Sequence, residues 1–520
     1  MQFVPIELYQ LVSKLLNTKA QIRMTMISKF LYDNIYILAI KSSAVTDDIL
    51  LEKKFSKLTK LDYCRKINYS YTLYHYTNQK AINNLNLVKL YVSDNNRINN
   101  VSHMSNLKVL NASGKSGIDQ NSISNLDLIK LYAADNKKIH DVSHMTNLKV
   151  LNINDSSGVK QNGIKKLDLI KLYINYNRHI YDIGYMTNLK KLNATSSVID
   201  QNSIKKLNLV TLNASNCRNI TDISHMSNLK ILYAYGENGI TQASIQYLNL
   251  VELYVSTNVN ITSVTHMSNL KILDISCVDC YRCGVGQDGI KHLDLVELIV
   301  SCNQHITDVS YMTKLKKLVA DGDELLQKTC GITQSSIKNL DLIELSIMDN
   351  YNISDVSYMT SLKYLDISGE CCGVDQHGIQ NLLLRELRAC GNEKITDVSF
   401  MTSLQKLDIT GNCGVNQAGI QNLLLRDLIM DNNDKINNIA HISSLKYLDI
   451  SGNCNIGLDS LEKLSLKKLD VSSNKKITDV SFMTTLKTLN IGYKSGINRN
   501  GIRGLSLKKL YTVNNPHFSQ

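Results

Sequence analysis

The chain has 520 residues, of which 43% are hydrophobic, and its formal net charge is +12. It is longer than a single hydrophobic core usually serves, so we expect several domains or a repeat array. The absence of a long apolar run and of a signal-peptide pattern predicts a cytoplasmic or nuclear protein with no membrane partner, and the scattered lysines disfavour nucleic acid as a partner.

Residues 1–45 are predicted to form a compact helical module. Leu8 and Val12 follow helical spacing on one face. Pro5 lies just ahead of that helix, where its missing N–H costs little. Residues 18–21 read Thr-Lys-Ala-Gln, a capping box that predicts the start of a second helix.

The N-terminal module resembles an F-box. The family pattern Leu-Pro-x-Glu-Leu appears as VPIEL at residues 4–8, with Val4 in place of the usual Leu, and the pattern Val-Ser-Lys is matched by Ile-Ser-Lys at residues 27–29. The resemblance implies docking on the Skp adaptor of a cullin–RING ubiquitin ligase. The adaptor-facing residues by motif position are Pro5, Leu8, Val12, Leu15 and Ile22. An alternative stays open, in which these helices only cap the repeats that follow.

Residues 46–85 are predicted to be a linker and an N-terminal cap, and residues 86–520 a repeat array. The phrase VSHMSNLKVLN at residues 101–111 returns along the chain in units of about 41 residues. Each unit contains two copies of L-x-x-L-x-L-x-x-N, which is the leucine-rich repeat. In combination with the N-terminal module, the chain resembles the F-box/leucine-rich-repeat proteins, and its Asn-, Ile- and Lys-rich composition resembles those of large AT-rich DNA viruses of amoebae.

The repeat predicts an α/β solenoid, a leucine-rich-repeat horseshoe of about 21 short parallel strands stacked about 4.8 Å apart. The leucines should point into a continuous core. The units are too short for full return helices, so we expect 3₁₀ turns or extended segments between strands. An asparagine recurs once per double repeat and should bond buried backbone groups of its own turn and the next. Its positions are Asn95, Asn136, Asn177, Asn258, Asn303, Asn350, Asn392, Asn433, Asn474 and Asn515, and Cys217 replaces one member.

The cysteines around residue 280 have metal-site spacing, because Cys277, Cys280 and Cys283 lie three apart and Cys302 follows. Three interpretations are open: a zinc site, a redox disulfide, and plain structural cysteines. Cys283 belongs to a column that also contains Cys330, Cys372, Cys413 and Cys454. Members of that column should lie about 10 Å apart, too far to bridge one another. We therefore favour structural cysteines and expect no metal.

The histidines recur at one repeat position, but that position also holds Tyr and Phe, as at His103, Tyr185 and Phe400. A position that accepts any ring is a packing position. No nucleophile–base grouping, phosphate loop or paired-carboxylate motif is found, so we expect neither an enzyme nor a cofactor.

The residue between the last two apolar positions of each strand should project from the concave face of the horseshoe. This column is rich in tyrosine and asparagine early in the chain and in aspartate later, and the neighbouring column changes from lysine to glutamate. Tyrosine is favoured at interfaces. The predicted partner-binding residues are Tyr132, Tyr173, Tyr233, Tyr254, Lys130 and Lys171. Simple duplication of the repeat is the alternative explanation of the tyrosines.

The sequence therefore predicts a non-enzymatic adaptor of a ubiquitin ligase, with the F-box on a Skp-type protein and the repeats on an unknown protein substrate. The alternative is a leucine-rich-repeat binding or decoy protein with no link to a ligase.

Overall fold

The computed structural model describes residues 39–41, 60–62, 78–277, 283–325 and 329–518. The predicted adaptor-facing residues Pro5, Leu8, Val12, Leu15 and Ile22 lie outside these ranges, so the F-box remains a prediction. The chain forms two compact units, with the main boundary in the sequence between Leu248 and Asn249. Within the described ranges, no helix is both long enough and apolar enough to span a membrane.

The first unit is a stack of parallel three-residue strands. Consecutive strands pair in register, with the central leucine of each strand beside that of the next, as Leu110 lies beside Leu131. The strands are β1 (Ala39–Lys41), β2 (Lys60–Asp62), β3 (Lys89–Tyr91), β4 (Val109–Asn111), β5 (Lys130–Tyr132), β6 (Val150–Asn152), β7 (Lys171–Tyr173), β8 (Lys191–Asn193), β9 (Thr211–Asn213) and β10 (Ile231–Tyr233).

The second unit repeats the same arrangement, with thirteen strands that are parallel and in register. They are β11 (Glu252–Tyr254), β12 (Ile272–Asp274), β13 (Glu297–Ile299), β14 (Lys317–Val319), β15 (Glu344–Ser346), β16 (Tyr364–Asp366), β17 (Glu386–Arg388), β18 (Lys406–Asp408), β19 (Asp427–Ile429), β20 (Tyr447–Asp449), β21 (Lys468–Asp470), β22 (Thr488–Asn490) and β23 (Lys509–Tyr511). The predicted leucine-rich-repeat solenoid is confirmed.

The core follows from the repeat pattern. In β5, for example, Leu131 is fully buried, whereas Lys130 is exposed and Tyr132 is half-buried. The leucine ahead of each strand from β3 to β22 is buried as well, as are most Ile, Val and Met residues of the return segments. Each repeat thus buries one row of aliphatic side chains against its neighbours, which no single repeat could do alone.

The return segments differ in part from the expectation of 3₁₀ turns or extended chain. One short helical turn occurs per double repeat, and some of these turns are α-helical. The α-helical turns are α1 (Gln79–Ile82), α2 (Gln120–Ile123), α3 (Gln201–Ile204), α4 (Gln242–Ile245), α5 (Gln334–Ile337) and α6 (Leu458–Leu461). The 3₁₀ turns are Gln161–Ile164, Gln287–Ile290, His377–Ile379, Ala418–Ile420 and Asn500–Ile502.

A side-chain cap supports the single turn of some of these helices. At α2, the carboxylate of Asp119 accepts hydrogen bonds from the backbone N–H (2.9 Å) and the hydroxyl (2.6 Å) of Ser122. These bonds lower the pKa of Asp119, and they satisfy an N–H that the helix itself leaves without a partner. The turn type follows the residue before the last one of each turn, because every 3₁₀ turn has glycine there, as Gly163, and every α-helical turn has Ser or Ala, as Ser122.

Strands β1 and β2 precede the predicted start of the repeats. They pair with each other and with β3 in the same parallel register. Their sequences carry a weak repeat pattern, with Ile37 three residues before Ile40 and Leu58 three residues before Leu61. The strand stack therefore extends into the segments that the sequence assigned to the helical module and the linker, while the boundaries of those two segments remain predictions.

The buried asparagines form the predicted ladder. The Asn136 amide donates to the carbonyl oxygens of Ala112 (2.7 Å) and Ile118 (3.1 Å) in the preceding repeat, and it accepts from the N–H of Lys138 (2.9 Å). Cys217 occupies the same position and donates its S–H to the carbonyl of Ala194 (3.0 Å). The structural role expected for this column is confirmed.

A second ladder, made of glutamines on the return segments, was not predicted. The Gln120 side chain donates to the carbonyl of Asp141 (2.7 Å) and accepts from the N–H groups of His140 and Asp141 (both 2.8 Å). The same contacts recur at Gln79, at Gln161 and at five later glutamines. The later members are Gln201, Gln287, Gln334, Gln376 and Gln417.

Candidate functional site

The strand face of the first unit is the candidate partner-binding surface. We define it as the first and third residues of β3 to β10, which project from the sheet on either side of the buried central leucine. Its members are Lys89, Tyr91, Val109, Asn111, Lys130, Tyr132, Val150, Asn152, Lys171, Tyr173, Lys191, Asn193, Thr211, Asn213, Ile231 and Tyr233. This face has four lysines and no carboxylate, so it is uniformly basic.

The four asparagines of this face cap the ends of their strands. The side-chain oxygen of Asn111 accepts from the N–H of Ser113 (3.1 Å), and that of Asn152 accepts from the N–H of Asn154 (3.1 Å). Asn193 and Asn213 make the same bond two residues ahead. Because each amide oxygen is held by the backbone, the NH₂ group of each amide is left to face outward as a donor.

The predicted lysines and tyrosines lie beside one another on this face. Lys130 and Lys171 are exposed, and among the described residues the ammonium group of neither makes an ion pair or a hydrogen bond. The Lys191 ammonium lies 5.9 Å from the centre of the Tyr173 ring, within cation–π range. Burial raises the pKa of Tyr173, and the neighbouring Tyr132 adds to the effect. The face therefore offers free ammonium groups between partly buried rings.

A row of side chains just ahead of the strands borders this face, and we call it the edge row. Aliphatic and lysine residues alternate along it: Val88, Lys108, Ile129, Lys149, Ile170, Lys190, Val210 and Lys230. Ile129, Ile170 and Val210 are 39%, 40% and 38% exposed. Two of the lysines reach back to the scaffold, because Lys108 donates to the carbonyl of Asp127 (3.3 Å) and Lys149 to that of Asp168 (3.2 Å).

The equivalent face of the second unit has the opposite polarity. Its first and third strand residues include ten carboxylates and five cationic side chains. The carboxylates are Glu252, Asp274, Glu297, Glu344, Asp366, Glu386, Asp408, Asp427, Asp449 and Asp470. Several are partly neutralised by neighbours: Lys317 lies 2.8 Å from Glu297, and Lys406 lies 2.6 Å from Glu386. Tyr254, the remaining predicted partner-binding tyrosine, belongs to this unit and donates its hydroxyl to Glu252 (3.2 Å).

The aspartates of the second unit make the same strand-end cap as the asparagines of the first. Asp449 accepts from the N–H (3.0 Å) and the hydroxyl (2.6 Å) of Ser451, and Asp408 accepts from the N–H of Thr410 (3.3 Å). The second carboxylate oxygen acts as an acceptor on the strand face, where that of Asp449 accepts from the Tyr447 hydroxyl (3.2 Å). Burial raises the pKa values of Asp274 and Asp449. One repeat position thus presents donors in the first unit and mainly acceptors in the second.

The cysteine cluster contains a bond that the favoured interpretation did not include. Cys277 and Cys283 are joined by a disulfide, with Cα atoms 5.7 Å apart. Cys280 lies outside the described residues, and Cys302 is half-buried and not part of this bond. A zinc site would need thiolates, which this pairing does not offer. The pairing agrees with the disulfide interpretation, and the choice among the three interpretations stays a prediction.

The other members of the cysteine column are buried, as expected. Cys330, Cys372, Cys413 and Cys454 are fully buried, and Cys454 donates its S–H to the carbonyl of Met430 (2.9 Å). Burial raises the pKa of Cys330 to about 12 and that of Cys413 to about 11. Their thiols stay protonated at neutral pH, so they are neither nucleophiles nor metal ligands there.

The ring position is a structural one. His103 and His144 lie 3.2 Å from the carbonyl oxygens of Ile82 and Ile123, at the ends of the preceding helical turns. Tyr185 donates its hydroxyl to the corresponding carbonyl of Ile164 (2.8 Å). Histidine and tyrosine therefore reach the same kind of acceptor, which explains their exchange. Burial raises the pKa of Tyr185 to about 12.

One acidic group was not singled out from the sequence. Side-chain ligand atoms of Glu324, Asp349 and Cys371 come within 4.8 Å of one another. Glu324 and Cys371 are exposed, and burial followed by nearby carboxylates raises the pKa of the Cys371 thiol. Exposed acidic groups of this kind are common without an ion, and we assign no site here.

Comparison with known proteins gives relatives in structure only. No family model and no curated protein matches the chain. An internalin from Listeria monocytogenes is 24% identical with a TM-score of 0.32, over 66% of this chain and 86% of its own. TLR13 in its complex with ssRNA13 is 16% identical with a TM-score of 0.40, over 89% of this chain and 71% of its own. A leucine-rich-repeat protein from Leptospira interrogans is 19% identical with a TM-score of 0.32, over 72% of this chain and 93% of its own.

Proposed function

We propose that the chain is a protein-binding scaffold that acts as a substrate-recruiting adaptor of a Skp–cullin–F-box ubiquitin ligase. The F-box-like residues 4–30 dock on the Skp-type adaptor, and the strand face of the first unit holds the substrate. The chain itself is non-enzymatic and works in the cytoplasm or nucleus, of a host cell if its gene is viral.

The observation that carries the substrate-binding part is the basic face itself. It combines exposed ammonium groups, partly buried tyrosine rings and outward amide donors on a rigid sheet. Rigid aromatic side chains give large contact area at a small entropy cost, and a repeat scaffold holds them at fixed spacing. The ligase part is supported by the sequence motif alone.

A binding or decoy protein with no ligase link is the second candidate. It is favoured by the position of β1 and β2, which continue the parallel pairing of the repeats toward the N-terminus. In that case, the N-terminal helices only cover the end of the sheet.

The first test is capture of a Skp adaptor by the full chain, compared with a variant that carries Pro5→Ala and Leu8→Asp. We expect the full chain to retain the adaptor and the variant to lose it, because Leu8 supplies apolar contact at the motif. A matched control, Lys130→Glu with Lys171→Glu, changes only the strand face and should retain the adaptor. If the folded full chain does not bind the adaptor, the ligase role is wrong and the scaffold role stands alone.

A further inference from the structure

We propose that the strand face of the first unit binds an extended, acidic polypeptide segment that also carries apolar side chains, and that Asn111, Asn152, Asn193 and Asn213 determine this specificity. The inference rests on the proposed scaffold function and names the chemical class of its partner. It does not depend on the F-box.

The first argument is that every polar group turned outward on this face is a hydrogen-bond donor or a tyrosine hydroxyl. Lys130 and Lys171 present ammonium groups. Each of the four asparagines uses its oxygen on the backbone N–H two residues ahead, at 3.0 to 3.4 Å. Within the described residues, the NH₂ groups of these four amides have no acceptor. A face of donors fits a partner of acceptors, and carboxylates are the strongest acceptors that a polypeptide offers.

The second argument is the alternation of charge with apolar surface. Across neighbouring repeats, Ile129 beside Lys130 is followed by Lys149 beside Val150, and then by Ile170 beside Lys171. Aliphatic side chains therefore occupy every second place in the edge row, where Ile129 and Ile170 are partly exposed, whereas Val150 in the first strand position is buried. A segment that crosses the strands passes both cations and exposed aliphatic side chains, which favours a partner that carries acidic and apolar residues.

The third argument is length. The eight strands from β3 to β10 are separated by seven steps of about 4.8 Å, so the face is about 34 Å long. An extended polypeptide covers about 3.4 Å per residue. About ten to twelve residues would span the face.

The observations favour a polypeptide over a nucleic acid. Single strands bind by stacking bases on open aromatic faces, but Tyr173 is half-buried and Lys191 lies over its ring at 5.9 Å. The partly exposed Ile129 and Ile170 would also face phosphates and sugars, which bury no aliphatic surface. The alternating aliphatic side chains are used only by a partner that has apolar side chains of its own.

The decisive variant is Asn→Asp at all four positions. Aspartate keeps the capping oxygen and replaces the outward NH₂ with a negatively charged oxygen. The chain itself shows that the exchange is compatible with the fold, because Asp408 and Asp449 make the same cap in the second unit. The variant therefore changes the polarity of the face without removing a scaffold bond.

The experiment measures binding of a fluorescent peptide of about twelve residues to the purified full chain. Pairs of glutamate alternate with pairs of leucine or serine in this peptide, so that each face of the extended chain carries both kinds of side chain. We expect binding that weakens as salt is raised, and an affinity at least about tenfold lower for the four-position Asn→Asp variant. The control variant Asp274→Asn with Asp408→Asn, on the other unit, should bind as the unchanged chain does. If the Asn→Asp variant proves unstable, Lys130→Glu with Lys171→Glu takes its place, since neither lysine contacts the scaffold.

Three outcomes would overturn the proposal. The first is failure of the peptide to bind. The second is equal binding by the unchanged chain, the four-position Asn→Asp variant and the control variant. The third is tighter binding of a single-stranded oligothymidine probe than of the peptide. None of these bears on capture of the Skp adaptor, which is measured separately. Failure of the strand-face proposal and failure of the ligase proposal are therefore distinguishable.

Discussion

In the strands whose third residue is Asn or Asp, that residue has two tasks that the structure keeps apart. One side-chain atom caps the strand end, and the other sets the polarity of the strand face. Asn152 and Asp449 make the same cap to the residue two ahead, at 3.1 and 3.0 Å. Exchange of Asn for Asp therefore changes the surface charge without changing the fold. A repeat protein can change its binding partner in this way with little loss of stability.

Asp449 shows the energetic consequence of carrying a carboxylate at this position. It lies opposite Asp470 in the parallel pair of β20 and β21. Burial is the largest cause that raises the pKa of Asp449, and Asp470 adds to it. A carboxyl group whose pKa is raised on folding contributes stability while it is protonated, and this contribution is lost as the pH rises through the folded pKa. At neutral pH, the charged Asp449 is therefore a local weakness.

We expect Asp449→Asn to be stabilising at pH 7, by about 0.5–1 kcal/mol, because the amide keeps the cap and removes the like-charge pair. Asn490, on the other side of Asp470, already donates to its outer oxygen (2.7 Å), and an amide at 449 can do the same. The corresponding rise in Tm is about 1–3 °C. The measurement is thermal unfolding followed by circular dichroism at pH 7 and at pH 4.

The pH dependence is the control for this prediction. As the pH is lowered toward 4, a carboxyl of raised pKa takes up its proton earlier than an ordinary one, so the difference in Tm between Asp449→Asn and the unchanged chain should shrink. A difference of the same size at both pH values would mean that repulsion is not the cause. A lower Tm at pH 7 would contradict the prediction itself.

At the scale of the element, the return segments depend on side-chain bonds as much as on burial. The glutamine ladder ties each helical turn to the next double repeat, through one donated and two accepted hydrogen bonds per glutamine. It includes Gln417, which accepts from the N–H groups of Asn437 and Asn438 and donates to the carbonyl of Asn438. The ladder ends there, because Leu458 and Arg499 occupy the next two positions.

We expect Leu458→Gln to stabilise the second unit, by about 1 kcal/mol, because it would extend the ladder by one step. The backbone groups that it would reach belong to Thr478 and Asp479, which are exposed; among the described residues their N–H groups donate to no protein acceptor. Helix α6 should persist, since Gln is a good helix former. The measurement is the urea dependence of unfolding.

The control is Leu458→Lys, which has a similar helix propensity but no acceptor for the two N–H groups. It should not share the gain. Equal stability of the Gln and Lys variants would show that the ladder contributes nothing at this position.

The strands, the asparagine ladder and the glutamine ladder differ in how well the sequence predicts them. The leucine period predicts the strands and the core, because burial of one leucine row is the dominant energy of each repeat. The asparagine ladder was predictable because a buried amide must be satisfied. The glutamine ladder was not, because exposed glutamines such as Gln120 and Gln161 carry no burial signal, although their spacing of 41 residues was visible.

Two further features depended on local geometry that the sequence does not encode. Cys277 and Cys283 are six residues apart, a separation that by itself fixes no distance, and their Cα atoms lie 5.7 Å from each other. For the candidate site, the sequence predicted the tyrosine and lysine positions but not the outward NH₂ groups, since the direction of each amide follows from its backbone partner.

At the scale of the whole molecule, the double repeat rather than the single repeat is the unit of construction. The two single repeats of a double repeat, which we call its halves, differ at the positions where they pack on the preceding half. Gly117 packs so closely on the preceding half that a Cβ atom there would lie 2.3 Å from the carbonyl oxygen of Ile98. Its counterpart one half-repeat later is Lys138. The two halves must therefore alternate, and the chain can change length only by whole double repeats.

We predict that deletion of residues 109–149, one double repeat of 41 residues, leaves a folded chain, whereas deletion of residues 109–129, one half, does not. Both deletions begin after Lys108, so they differ only in which half follows. The first deletion places Val150 directly after Lys108, at the repeat position that Val109 holds in the full chain, and so keeps both ladders in register. The second places Lys138 where Gly117 had no Cβ atom, and it removes the glutamine bonds of α2.

Because the stability of a solenoid is roughly a sum over repeats and their interfaces, the longer deletion should be the milder one. We expect its Tm to stay within about 5 °C of that of the full chain, and that of the shorter deletion to fall by more than about 10 °C. Thermal unfolding of the three purified chains is the measurement, and similar losses in both deletions would show that the two halves are interchangeable.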